Sequence, residues 1–341
     1  MDIDNISFNN LNNKIPIKII KKIKRKNFKE IIYILTLIIL LNTLIFSIIF
    51  MRSKKSKNII NKNINIANLI KNGEISNNNT CTLIKENLNN RTHPLDFENE
   101  LYFFFDLISC KIPFSFIRFG DGENLIMKGI KLNVKIDKWH WNDKNKKFQE
   151  SLIESSSICL FNNGFIGIPC KNWIKISESI LSFSKCSSAK YMSYATLFIN
   201  KNYLIFKDLI LRFINSSNRW RIILVANSII NKNISWAYKF FPVPDHLIEK
   251  WDKYSFSLFS QLSQEAKQND LIFFISAGPA ANIIISYLIK ININNIYIDF
   301  GSSIEFITKG YTTRPYAENS EYSHQSCESF FLQNKSLIYT R

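Results

Sequence analysis

The chain has 341 residues, 46% of them hydrophobic, and a formal net charge of +17 at pH 7. That length and apolar content exclude a disordered chain and allow one large domain or two ordinary ones. The charge does not mark a nucleic-acid binder, because the Ile, Asn and Lys bias runs through every segment and no basic stripe is interleaved with aromatics.

Residues 1–30 form a basic tail whose densest run, Lys18 to Lys29, abuts Ile31 to Met51, a stretch without a single charge. At about 1.5 Å per helical residue this stretch spans roughly 31 Å, the hydrocarbon thickness of a bilayer. It reads as a signal anchor rather than a cleaved signal peptide, since Phe50-Met51-Arg52-Ser53-Lys54 offers no small-residue cleavage site. Eight Lys and Arg residues precede the span from Lys14 to Lys29 and five follow it from Arg52 to Lys62. That asymmetry predicts a cytosolic N-terminus and a single-pass type II protein, its larger part lumenal (endoplasmic reticulum or Golgi type) or extracytoplasmic.

All six cysteines, Cys81, Cys110, Cys159, Cys170, Cys186 and Cys327, follow the span. Six cysteines permit about fifteen full pairings, among which the sequence does not choose, and the absence of a CxxC pair argues against a zinc site. Sequons at Asn78, Asn90, Asn215, Asn233 and Asn334 fit a lumenal location. Residues 52–95, rich in Asn, Lys and Ser, read as a flexible stem, 96–330 as the folded domain and 331–341 as a C-terminal tail.

From Leu101 onward apolar runs alternate with helical patterns. The strand candidates are Phe114 to Phe119, Ile158 to Ile168 with an interruption at Asn162-Asn163-Gly164, Tyr191 to Ile199, Arg221 to Ala226, Leu271 to Ile275 and Ile296 to Phe300. Between them lie helical candidates at Lys146 to Ser156, Trp173 to Phe183, Lys201 to Ile214, Asp245 to Lys267 and Pro279 to Lys290. The alternation predicts an α/β fold with a mostly parallel sheet flanked by helices, and in such sheets ligands gather at the carboxyl ends of the strands.

Three strand ends carry candidate chemistry. The first is Arg118-Phe119-Gly120-Asp121-Gly122-Glu123. If the backbone stays extended, Asp121 and Glu123 point the same way and can hold a divalent metal, with Arg118 on the same face and Gly120 and Gly122 allowing a tight turn. The second is Ser276-Ala277-Gly278-Pro279-Ala280, a small-residue turn into a helix whose free N–H groups suit a phosphate or carboxylate. The third is Asp299-Phe300-Gly301, an aspartate at a strand rim.

Together these segments resemble the GT-D-fold glycosyltransferases, whose hallmark R-[FY]-G-D-G-E is matched without a gap by Arg118 to Glu123. The later G-P turn and D-[IFV]-G segment of that family are similar to Gly278-Pro279 and Asp299-Phe300-Gly301, and a closing G-x-x-T-R-x-Y segment to Gly310 to Tyr316. The chain has Ser302 where bacterial relatives carry a histidine, and Ala280 where a threonine is frequent. The resemblance implies a Rossmann-like, GT-D-type domain and a membrane-anchored glycosyltransferase that takes a nucleotide-diphosphate sugar, a UDP-sugar first among them, to a glycan or glycoprotein acceptor.

It further implies a divalent metal, commonly Mn²⁺, on Asp121 and Glu123. Asp299 and Glu123 are then the catalytic candidates, and Arg118, Gly120, Gly122, Gly278, Pro279 and Arg314 the substrate-binding ones. A general base for the acceptor is sought among Asp299, Glu305 and His246, and Trp139, His140 and Trp141 offer aromatic surface for a sugar. A catalytically silent, membrane-anchored protein that binds a glycan or a partner through the same domain stands as the alternative.

Overall fold

The computed structural model describes residues 78–134, 139–142, 145–161, 163–170, 173–186, 188–216, 221–229, 234–312, 314–317 and 324–327. The tail, the anchor expected at 31–51 and residues 52–77 of the stem lie outside them, as does the C-terminal tail. Among the described residues no helix is long and apolar enough to cross a membrane.

The helices are α1 (Asn78–Asn89), α2 (Phe97–Ser109), α3 (Asp121–Met127), α4 (Lys146–Ser155), α5 (Ile174–Phe183), α6 (Tyr203–Asn215), α7 (Trp251–Ala266), α8 (Ala280–Ile289) and α9 (Glu305–Thr308). The strands are β1 (Ser115–Arg118), β2 (Leu132–Val134), β3 (Trp139–Trp141), β4 (Gly164–Ile168), β5 (Met192–Tyr194), β6 (Arg221–Asn227), β7 (Lys239–Val243), β8 (Leu271–Ser276) and β9 (Ile296–Asp299). Seven strands form one sheet in the order β5-β4-β1-β9-β8-β6-β7, with every pairing parallel, while β2 and β3 make a small antiparallel hairpin.

The continuous apolar runs are explained by burial on both faces. Ile117, Phe273, Ile275 and Tyr297 join one core with residues of α3, α4, α7 and α8. Their strand neighbours Phe116, Ile272, Phe274 and Ile298 join a second core with α1, α2 and α6. Alternate side chains of a strand point to opposite faces, so each strand feeds both cores and the domain is a sheet between two helical layers.

Part of the expected stem is packed structure. Residues 78–89 form α1, Cys81 is bonded to Cys110, and Arg91, 8% exposed, pairs with the fully buried Glu100 through two hydrogen bonds of 2.9 and 2.7 Å. Arg91 also donates to the carbonyls of Lys190 and Met192, which ties this entry segment to the edge strand β5. The polar composition of 78–95 concealed these tertiary partners.

Several element boundaries shift for identifiable reasons. The strand expected from Ile158 begins only at Gly164, because Ile158–Leu160 is a 3-10 turn and Asn163 takes a left-handed φ of 53°. The helix expected from Asp245 begins at Trp251, after His246 at φ 60°. Among the described residues all six cysteines are paired, Cys81 with Cys110, Cys159 with Cys186 and Cys170 with Cys327.

Candidate functional site

The sheet order makes β1, β9 and β8 consecutive, so the three segments singled out above stand side by side at one carboxyl rim. Arg118, the last residue of β1, reaches across to Asp299, the last residue of β9: Nε donates to Oδ2 at 3.1 Å and an Nη to Oδ1 at 3.3 Å. Its other Nη donates to the carbonyl of Ala195 at 3.2 Å, and Gly301 N–H donates to Asp299 Oδ1 at 2.9 Å. This bidentate pair is mostly buried, where charge-assisted hydrogen bonds are strong and geometry is held firmly. Burial raises the Asp299 carboxyl above its ordinary range, against the lowering effect of Arg118 and the Gly301 N–H.

Gly301 is there for a steric reason. Its φ is 52°, a conformation L side chains rarely adopt, and a Cβ on it would lie 2.0 Å from an Arg118 Nη. The D-F-G segment therefore supplies both the carboxylate and the gap through which the guanidinium reaches it. Ser276 at the end of β8 donates to the Gly301 carbonyl at 2.6 Å, locking the third strand end to the other two.

Asp121 and Glu123 are arranged differently from the expectation. The chain turns into α3 at Asp121, so the segment is helical, and residues two apart on a helix diverge by about 200°. Glu123, half-buried, folds back to accept the Gly120 N–H at 2.9 Å, half of a capping box. Its carboxyl is raised to about 7, chiefly by burial and with Asp299 adding to it, against hydrogen bonds and Arg118 that pull it down. Asp121 is exposed and accepts the N–H of Gly122. Glu123 thus belongs electrostatically with Asp299 and Arg118, whereas Asp121 stands at the solvent side.

At the second segment Gly278 has φ 56° and Pro279 directly precedes α8, as the turn pattern predicts. Asn282 in the first turn of α8 was not singled out in the sequence. It is 1% exposed, and its side chain accepts the Arg118 N–H at 3.3 Å while donating to the Arg118 carbonyl at 2.7 Å. The signal was a lone amide within the apolar run Ala280 to Ile289, since an amide buried there needs polar partners.

The closing segment reaches the same rim. Tyr316 and Ser302 share a 2.9 Å hydroxyl–hydroxyl hydrogen bond, and Tyr316 feels Arg314, Glu305 and Arg118 electrostatically. Arg314 lies 4.0 Å from Glu305, and burial lowers its pKa. Glu305 is held by Lys309 at 2.8 Å and Thr312 at 3.3 Å. His246 is not part of this constellation. It follows β7, two strand positions from β8 and four from β1, about 10 and 19 Å at the usual inter-strand spacing. His140 pairs with it there, and Trp141 is buried in the core. An apolar cavity of about 320 Å³ lined by Lys207, Leu211, Trp236 and Phe306 carries no carboxylate and does not suit a diphosphate.

Two solved structures are similar to this chain. A selenomethionine-substituted structure of domain of unknown function 1792 aligns with 18% identity and a TM-score of 0.41, covering 73% of this chain and 94% of its own. A second, of the same domain and described as having a distinct glycosyltransferase fold, aligns with 16% identity and a TM-score of 0.43 over 71% and 91%. No protein-family model matches the chain, and no curated protein does.

Proposed function

We propose that the chain is a glycosyltransferase that binds a nucleotide-diphosphate sugar, a UDP-sugar first among the donors, at the rim formed by β1, β9 and β8. The observation that carries this reading is the buried Arg118–Asp299 pair, which binds together the R-F-G-D-G-E and D-F-G segments. Beside it the Gly278–Pro279 turn leads into α8, and the N–H groups at the start of that helix suit a diphosphate.

The donor set at Asp121 and Glu123 is all oxygen, which suits a hard dication such as Mn²⁺. A cation there also fits the electrostatics, because it would offset the repulsion between Glu123 and Asp299. Bound there, it would stabilise the charge that builds on a departing nucleoside diphosphate. The protein's own residues do the positioning. Arg118 directs three of its five N–H donors at Asp299 and Ala195, so it holds Asp299 in place as the rim carboxylate for the acceptor side. Arg314 and Tyr316 close the rim beside them.

The three disulfides and the exposed sequon residues Asn90 and Asn215 support a lumenal or extracytoplasmic site of action on glycan or glycoprotein acceptors, behind an anchor at 31–51. The purified full chain should release nucleoside diphosphate from at least one sugar donor with Mn²⁺. Asp121→Ala and Glu123→Gln should each cut that rate by roughly 100-fold or more while leaving the melting temperature near wild type. Absence of release with every donor tried would sink the proposal.

One observation favours a silent binding protein instead: Glu123 already accepts the Gly120 N–H, and Asp121 points elsewhere. Calorimetry with Mn²⁺ and UDP separates the two, since the silent version has no metal-dependent affinity for the nucleotide.

A further inference from the structure

A second constellation lies at the far edge of the sheet. His140, in the β2–β3 hairpin, and His246 and Glu249, in the connection from β7 to α7, place one ligand atom each within 4.8 Å of one another. Both histidine Nδ1 atoms converge on the same carboxylate oxygen, Glu249 Oε1: His246 at 3.1 Å and His140 closer still. The backbone N–H of His140 reaches that oxygen too, at 2.7 Å.

The other oxygen, Oε2, is buried and has no hydrogen-bond partner among the described residues. A carboxylate offers about four acceptor positions over its two oxygens, so three groups crowded on one oxygen and none on the buried other is a poor use of them. His246 also holds φ 60°, a left-handed conformation that costs about 1 kcal/mol in a residue with a Cβ, and this turn aims its ring at Glu249. The two rings are roughly half exposed, which leaves the cluster open to an ion from solvent.

We propose that His140, His246 and Glu249 bind a borderline transition-metal dication of the Zn²⁺ class. Two imidazoles and one carboxylate match the preference of such ions, whereas the all-oxygen Asp121 and Glu123 match a harder one. Tetrahedral coordination at metal–ligand distances of about 2.0–2.2 Å needs ligand atoms about 3.3 Å apart, so both imidazole–carboxylate contacts open slightly to admit the ion, within a group that already lies inside 4.8 Å. The bound ion leaves a fourth position for water and clamps the hairpin to the sheet edge beyond β7. It takes up the charge of Glu249 and relieves the crowding on Oε1.

The test is a titration of the full chain, prepared without a polyhistidine tag and stripped with EDTA, with Co²⁺ as spectroscopic probe and Zn²⁺ as competitor. One equivalent of Co²⁺ should bind with the visible absorption of tetrahedral nitrogen and oxygen coordination, and Zn²⁺ should displace it. His140→Ala, His246→Ala and Glu249→Gln should each weaken binding at least tenfold. His140 is exposed on a short hairpin, so its variant reports on the site even where His246→Ala perturbs the turn. Asp121→Ala should leave the Co²⁺ spectrum unchanged, which separates this site from the one proposed for the diphosphate. No binding, binding indifferent to all three substitutions, or binding lost in Asp121→Ala would overturn the proposal.

Discussion

Glu123 is the residue whose chemistry the fold alters most. Its carboxyl stands at about 7 against 4.5 for the free side chain, chiefly through burial. The folded state therefore binds a proton there more tightly than the unfolded state does. The resulting stability is fully present below about pH 4.5 and is lost as pH rises through about 7. Asp299 is raised as well and contributes in the same direction. Glu123→Gln keeps an oxygen for the Gly120 N–H but cannot titrate. Without added metal, the melting temperature of the wild type should fall between about pH 4.5 and 7 more steeply than that of the variant. Parallel pH profiles would show that Glu123 is not held protonated. At this scale the sequence marked the right residue types but not their geometry. Spacing alone made Asp121 and Glu123 partners, whereas the helix that begins at Asp121 gives Glu123 to Gly120 and Asp299 instead. Asn282 escaped because its partners are backbone atoms of a strand 164 residues away in the chain.

Among the elements, α1 and the link to α2 show where composition misleads. The helix Asn78–Asn89 is mostly polar and buries only Ile84 and Leu88 on its inner face, so nothing local distinguishes it from a stem. What holds the segment is non-local: the Cys81–Cys110 bond and the Arg91–Glu100 pair. Glu100 is fully buried, so truncating its partner strands a charge in the core. Arg91→Ala should cost about 3–5 kcal/mol in urea unfolding, and the double change Arg91→Met with Glu100→Leu should recover most of it. A single-variant cost near zero would mean that the pair is solvated and the segment loosely attached. The central strands were legible for the opposite reason. β1, β6, β8 and β9 are buried on both faces and so read as unbroken apolar runs, whereas β7 contains Pro242 and sits at an edge, where such runs are interrupted.

Over the whole molecule, the three disulfides constrain very different lengths of chain. Cys81–Cys110 and Cys159–Cys186 close spans of 29 and 27 residues, whereas Cys170–Cys327 closes 157. If the bonds act by restricting the unfolded chain, loop-closure entropy assigns about 3.5 kcal/mol to each short span and about 5 kcal/mol to the long one. The long bond also has a positional effect. It ties the C-terminal segment to the residue two places beyond β4, and Gln325 in that segment accepts the N–H of Lys201 just ahead of α6. Tyr316 and Arg314 lie on the same C-terminal side of the chain, and Tyr316 feels Arg118, the partner of Asp299. Paired serine replacements at each bond should therefore rank in urea midpoint, with the Cys170/Cys327 variant lowest. That variant should also weaken nucleotide binding at temperatures where the domain remains folded, because the closing segment is released while the parallel sheet persists. The two shorter pairs lie away from the rim residues and should lower stability without that separate loss of affinity. Equal midpoints for all three variants would contradict the entropic account, and unchanged nucleotide affinity in the Cys170/Cys327 variant would detach the C-terminal segment from the site.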